Sequence, residues 1–298
     1  MKSTFNKQRL GSRFVKNFWR ELEHDNLGLV ATILLIVLFL FIFIGQLFVP
    51  SDIGTMSSVL DSNLPPLTNG HILGTTDSGA DLLLTLIVAA RNSLIIGFGV
   101  ATLITLISVV FGMMIGYFGG WVDWLAMRII DFWLVMPILM ILAIIFSTAK
   151  GMSIWSLIVI LSLMNWPANV RLVRTLTLSE VNRDYVEAGK ISGTPWFKIL
   201  FTGILPNISS TIISDYALTL AGSIGLETGL TFLGFGLKHG TSSIGSMLTV
   251  LSDSSASSIY TNWWLWLPVT LVLIIITFGI VVLGQVVRRA IDQRQSIS

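Results

Sequence analysis

Six stretches of about 20 predominantly apolar residues, each long enough to cross a bilayer core of about 30 Å as a helix, dominate this chain. They run near Leu27–Val49, Ser93–Phe118, Met127–Thr148, Ser153–Val173, Ile208–Phe235 and Trp263–Val287. A backbone in lipid must satisfy its own hydrogen bonds, so runs of this length commit the chain to helices. The fold class that follows is all-α, a polytopic membrane protein with six transmembrane helices. Charged residues make up 11% of the 298 residues, against roughly 25% in a soluble domain, so lipid is the main solvent. The first span begins too far in, and lacks the small-residue cleavage site, to be read as a removable signal; it is an anchor.

The basic residues orient the spans. Lys2, Lys7, Arg9, Arg13, Lys16 and Arg20 precede the first; Arg171, Arg174, Arg183, Lys190 and Lys198 lie in or beside the fourth connection; Arg288, Arg289 and Arg294 follow the last. Six crossings place all of these on one side, the cytoplasm, with both termini. The connection 50–90 carries four aspartates and no lysine or arginine, as expected outside. The resulting division is a cytoplasmic amphipathic segment 1–26, a first span 27–49 and, over 50–92, an outer loop with the start of the core. A membrane core 93–287 contains the cytoplasmic loop 174–206, and a tail 288–298 follows. Phe5, Phe14, Phe18 and Trp19 among the N-terminal charges suit a helix lying in the headgroup layer or an ordinary basic flank.

Several chemistries are excluded. With no cysteine and three scattered histidines (His24, His71, His239), neither a disulfide nor a metal-ligand spacing exists. The net charge of +2 gives no footprint for nucleic acid. No G-x-x-x-x-G-K-[ST] loop occurs, so any nucleotide triphosphate must be bound elsewhere. No Ser/His/Asp or two-histidine spacing suggests an enzyme.

Within the spans, Arg128 and Asp131 are spaced to pair on one helix face, and Pro137 and Asn165-Trp166-Pro167 are expected kinks. Gly225 and Gly229 form a GxxxG that permits close helix approach. Glu227, between them, is read as the one acid deep in a span. Two readings stand side by side: a pathway or interface residue, or a neutral, hydrogen-bonded carboxyl. Trp263, Trp264 and Trp266 form an interfacial belt.

The segment Tyr185–Asn207 is different in kind, an amphipathic stretch between apolar spans. Ser179 is a candidate cap for a helix over 179–192 carrying Glu180, Asp184 and Glu187. Ala188 and Gly189 leave a small patch on its surface. Gly193 stops it, and Pro195 starts a second helix whose Trp196, Ile199, Leu200 and Ile204 recur at helical spacing. Leu205-Pro206 is expected to end that helix where the fifth span begins.

The pattern of Glu187-Ala188-Gly189, Gly193 and Ile204-Leu205-Pro206 resembles the loop by which permease subunits of ABC transporters engage their ATPases, in its peptide and nickel form. Gly189 replaces the loop's third alanine, and Gly203 stands where isoleucine is usual. Four more segments resemble the family in order: HILGTTDSGADLLLTLIVAARNSLIIG (71–97), GYFGGWVDWLAMRIIDFWLVMP (116–137), LETGLTFLGFGLKHGTSSIGSML (226–248) and LGQVVRRAIDQR (283–294). The resemblance is to the second ("C") type of permease in oligopeptide and dipeptide importers. It implies a type I importer permease fold in the bacterial cytoplasmic membrane. It also implies a heterodimer with a homologous second permease, two cytosolic ATPases that bind ATP and magnesium, and an extracytoplasmic peptide-binding protein. This chain would hold no cofactor, and Tyr185, Glu187, Ala188, Gly189, Gly193, Leu205 and Pro206 would couple it to the ATPases. A nickel permease shares these motifs, and an ATP-independent channel or carrier working through Glu227 is the rival of another class.

Overall fold

A computed structural model describes residues 18–23, 25–49, 59–148, 152–237, 241–249 and 260–295, with side chains to 292. Of the expected N-terminal segment, 18–23 is helical; residues 1–17 and 24, and half of the serine-rich stretch 237–262, lie outside the described residues. All named elements are helical, and the β pairing among the described residues is limited to isolated bridges.

Helix α1 (Asn26–Gly45) begins at Asp25, whose Oδ1 accepts the Gly28 N–H at 3.0 Å and so fills one of the orphan donors of the first turn. The other carboxylate oxygen of Asp25 pairs with Arg289. Helix α2 (Leu82–Phe118) starts eleven residues before the expected span. The stretch 82–92, expected in the outer loop and the start of the core, is helical, with Leu82, Leu86, Ala89, Ala90 and Asn92 buried. Asp81 caps it, accepting the Leu84 N–H at 3.0 Å and meeting His71 Nδ1 at 2.6 Å. Before it, the turns of 59–81 close around the fully buried Thr75, whose hydroxyl accepts the Leu64 N–H and donates to the Asp61 carbonyl.

The third span is two helices, α3 (Gly120–Val135) and α4 (Ile138–Thr148), bent by 71°. Pro137 does more than kink it. Met136 is forced to an extended conformation, as a residue before proline prefers, and the helix breaks. Helix α5 (Ile154–Val181) by contrast runs through the buried Pro167. Beside that proline, the carbonyls of Leu161 and Met164 accept from Asn165 Nδ2 and Trp133 Nε1 at 2.8 and 3.0 Å, so side chains support the loosened turn.

Helix α6 (Asp184–Ile191) is followed by a short turn Trp196–Lys198, a π-helical stretch Ile199–Ile204 and α7 (Leu205–Phe232), which form one run from Trp196 to Phe232. Leu205-Pro206 therefore does not end a helix. The wider π turn precedes Pro206, which sits in the first turn of α7, where a missing N–H costs nothing. Helices α8 (Ile244–Leu248) and α9 (Leu267–Gln295) complete the chain. Among the described residues five uninterrupted helices are long and apolar enough to span a membrane, and the bent α3–α4 pair occupies the sixth place.

Packing follows residue size. α2 lies along α5, where Gly116 admits the neighbouring backbone: a Cβ there would come 2.8 Å from the Arg174 carbonyl oxygen and from Thr177 Cβ. α7 is central. Its Leu220 and Ile224 join Leu35, Ile42, Leu94, Val269 and Ile276 in the largest apolar cluster, and its Leu230 joins Ile96, Leu142 and Leu157 in a second.

Candidate functional site: the α6 hairpin and the polar face of α7

Ser179 does not cap α6. It lies inside α5, with its hydroxyl donating back to the Leu176 carbonyl, and Arg183 occupies the cap position without a side-chain bond. What helps the start of α6 is the acidic pair Asp184 and Glu187 in the first turn, complementing the helix dipole. Gly193 ends the hairpin's first arm at φ +73°, a left-handed conformation that glycine adopts without cost. The Thr194 N–H then reaches back to the Gly189 carbonyl at 3.0 Å.

Two anchors fix this hairpin to the spans. Val186 is fully buried among Met113 of α2, Val173 of α5 and Ile199, Leu200 and Ile204 of the π stretch. Tyr185 donates its hydroxyl to Glu180 at 2.7 Å, and its ring lies against Gly203: a Cβ at 203 would meet the ring at 3.3 Å. The departure from isoleucine at 203 thus makes room for a tyrosine. Burial, followed by donation to Glu180, pushes the Tyr185 hydroxyl above its ordinary value, so it remains a donor. Lys190 Nζ sits 5.3 Å from the centre of the Tyr117 ring at the foot of α2.

Glu187 and Ala188 are exposed, while Gly189 is half-buried with Ile199 at ordinary contact distance from where its Cβ would be. Ile191 is 82% exposed, and Trp196, Phe197 and Phe201 also face outward. Leu205 is half-buried and Pro206 exposed. The hairpin therefore joins a locked inner side to an outer side carrying acid, small and aromatic residues together.

Arginines tie the neighbouring helices. Arg174 of α5 grips Asp123 of α3 through Nε and Nη2 at 2.6 and 2.5 Å. Arg171 pairs with Asp131, to which Arg128 is a more distant partner at 3.8 Å. The expected Arg128–Asp131 pair is thus the weaker part of a three-residue group.

Among the described residues Gly225 and Gly229 do not bring two helices together: none lies within 4 Å of a Cβ at either position, nor at Gly222. Glu227, between them, points the other way and is fully buried. Ser93 of α2 donates to its Oε2 at 2.9 Å and Thr231 to its Oε1 at 3.0 Å. The same Ser93 hydroxyl accepts the Ile244 N–H, so the carboxyl fastens α8 to α2 and α7.

Sequence reasoning missed a second acid in this helix. Asp215 is half-buried, halfway along the run from Trp196 to Phe232, and Asn169 of α5 donates to it at 2.7 Å. Its signal, a carboxylate twelve residues ahead of Glu227 on a span, was present in the chain. Among the described residues no group of three or more His, Asp or Glu is placed to hold a metal ion.

Residues 108–297 match the family described as "Binding-protein-dependent transport system inner membrane component", and residues 13–66 match "N-terminal TM domain of oligopeptide transport permease C". The "Oligopeptide transport system permease protein OppC" of Lactococcus lactis subsp. lactis (strain IL1403) is 40% identical over 282 residues, 95% of each chain. That of Mycobacterium tuberculosis (strain CDC 1551 / Oshkosh) is 34% identical over 220 residues, covering 73% of this chain and 75% of the relative. The "Dipeptide transport system permease protein DppC" of Bacillus subtilis (strain 168) is 30% identical over 282 residues, covering 94% and 86%.

Proposed function

The chain belongs to the binding-protein-dependent transport system inner membrane component family, and from that membership we propose that it is one permease subunit of an ATP-driven importer of oligopeptides or dipeptides. It is a multi-pass membrane protein with the type I importer permease fold. The observation that carries the proposal is the α6 hairpin, whose exposed Glu187-Ala188 edge is joined rigidly, through Val186 and Tyr185, to α5 and α7. An element so built can pass a partner's movement into two spans at once.

In this reading the hairpin faces the cytoplasm, as the basic residues of the chain direct, and two ATPase subunits dock against it. A homologous second permease completes the path, and an extracytoplasmic binding protein delivers peptide. Closure of the ATPases on ATP draws the hairpin inward and turns the two permeases from inward-open to outward-open; hydrolysis resets them. ATP and magnesium stay with the ATPases, and this subunit supplies positioning and movement. Cargo enters the proposal because the relatives are named for oligopeptides and dipeptides, which favours peptide over nickel.

The test is purification of the chain with its bound partners, followed by peptide uptake in vesicles. The expected result is a second permease and two ATPases in the complex, with uptake abolished by Glu187→Arg or Ala188→Arg in a chain that still purifies folded. A stable complex without ATPase, or full uptake by both variants, would overturn it.

A further inference from the structure

The acids inside the spans fall into three environments. Asp123 and Asp131 have arginine partners, and Glu227 is sealed among hydroxyls. Asp215 differs from all of them: it is partly exposed, and among the described residues no lysine, arginine or histidine pairs with it. Asn169 spends both amide hydrogens, donating at 2.7 Å to Asp215 Oδ2 and at 2.7 Å to Thr219 Oγ1. Apart from the one hydrogen of the Thr219 hydroxyl, what this cluster still presents are acceptors, the second carboxylate oxygen and the Asn169 carbonyl. A group made only of donors, an ammonium or a guanidinium, is the ligand that matches.

The surroundings say where that face looks. Along α7 the positions that share this face with Asp215 follow the helical repeat: Asn207, Thr211, Thr219, Gly222, Gly225 and Gly229, with the 54% exposed Leu218 among them. An ionisable group halfway along a span is costly against lipid and is found facing a bundle interior or water. A lipid-facing helix of the same chain, α1, turns Leu27, Val30, Ile33, Val37 and Leu40 outward instead. Leu218 apart, the α7 face around Asp215 is polar, and beyond it the bare glycine backbone lets a bulky solute pass.

We propose that Asp215, Asn169 and Thr219 form a subsite on the path-facing side of α7 that takes a cationic group of the cargo. That group is a peptide's terminal ammonium or a lysine or arginine side chain. The proposal rests on the reading of the chain as a peptide permease and adds to it the charge preference of the path. Asn169 is a positioning residue here; Asp215 supplies the charge.

The absence of cysteine gives a direct test. Thr219→Cys places a single thiol in this chain beside Asp215, in the assembled transporter in vesicles. Its rate of modification is measured with a cationic (trimethylammonium) and an anionic (sulfonate) methanethiosulfonate by mass spectrometry of this chain. The cationic reagent is expected to react faster by about tenfold or more, the scale on which a buried field concentrates counter-ions. Adding Asp215→Asn should remove most of that preference. A thiol inert to both reagents would overturn the proposal, since the face would then be covered by the second permease or by lipid. So would a preference unchanged by Asp215→Asn.

A second measurement does not depend on the thiol. The ratio of uptake rates for a lysine-containing and a neutral peptide of equal length is expected to fall in Asp215→Asn and in Asn169→Ala, and an unchanged ratio overturns the proposal. Failure of the unsubstituted complex to take up either peptide with ATP is a separate outcome, which overturns the functional reading on which the subsite rests.

Discussion

Helices α1 and α7 are both long enough to span a membrane, yet they turn opposite kinds of surface outward. α1 buries Ala31, Thr32, Leu35 and Ile42 and exposes a nearly unbroken coat of leucine, isoleucine, valine and phenylalanine. α7 buries Ser210, Ser214, Ser223, Glu227, Thr228 and Thr231 along with its aliphatics and leaves three glycines and a half-buried aspartate facing out. In water, an exposed apolar face and a buried polar one would be faults. In a membrane the inversion is orderly: lipid tolerates the α1 coat, and the hydrogen-bonding groups of α7 are kept where protein or water can satisfy them. One helix has the surface of an anchor; the other turns bare glycines and a carboxylate outward.

The sharpest way to break that comparison is to exchange the surfaces. Val37→Asp puts a carboxylate on the exposed coat of α1 and is expected to cost roughly 3 kcal/mol of insertion, the central-helix value for aspartate. Gly222→Asp on α7 should cost clearly less. Membrane-insertion assays on the two variants check this; equal costs would mean that both faces meet lipid.

A somewhat smaller loss is expected inside α7. Glu227→Ala leaves the Ser93 and Thr231 hydroxyls without their acceptor and opens space beside α8, at a cost of about 2–3 kcal/mol. Glu227→Gln keeps one acceptor and should lose about half as much. Thermal unfolding of the purified subunit, read at α8 by hydrogen exchange, distinguishes this from a pathway role, in which uptake falls while stability holds.

The smallest effect is at the foot of α1. The Gly28 N–H, then Arg289, hold the Asp25 carboxyl below the usual aspartate range. A depressed carboxyl contributes its stability in full above the ordinary aspartate value and loses it as pH falls through the lowered one. Asp25→Ala should cost about 1 kcal/mol at neutral pH, the usual worth of an N-cap. Asp25→Asn should cost less, because asparagine still caps. Acid titration of stability should flatten in both variants, and an unaltered profile would remove Asp25 from the account.

How much of this was legible follows from the kind of signal each residue gives. Apolar runs announce spans at any position, so α1, α5, α7 and α9 were visible before any packing was known. The hairpin was visible through Gly193 and Pro195, whose backbone restrictions act locally. Ser179 misled, because a good capping residue is also tolerated in the last turns of a longer helix, and α5 was longer than its apolar run. Pro137 and Pro206 look alike in sequence, yet the first breaks a span and the second rides on a π turn. The difference lies in whether neighbouring backbone can rearrange around the ring. Asp215 and Glu227 also look alike: two acids on one helix, with opposite fates decided by which face each occupies.

The sequence by itself determined that the chain lives in lipid, where its apolar spans fall and which short amphipathic segment lies between two of them. Hydropathy and the dihedral limits of glycine and proline are properties of residues in order, and they act without knowledge of neighbours distant in the chain. Only the tertiary structure decided that Glu227 would be closed in by Ser93, Thr231 and α8 while Asp215 stayed open beside Asn169. Ser93 lies 134 positions from Glu227, and Asn169 lies 46 positions from Asp215. The worth of a carboxylate inside a membrane is set by the few groups within hydrogen-bond reach, and only the packing of helices chooses them.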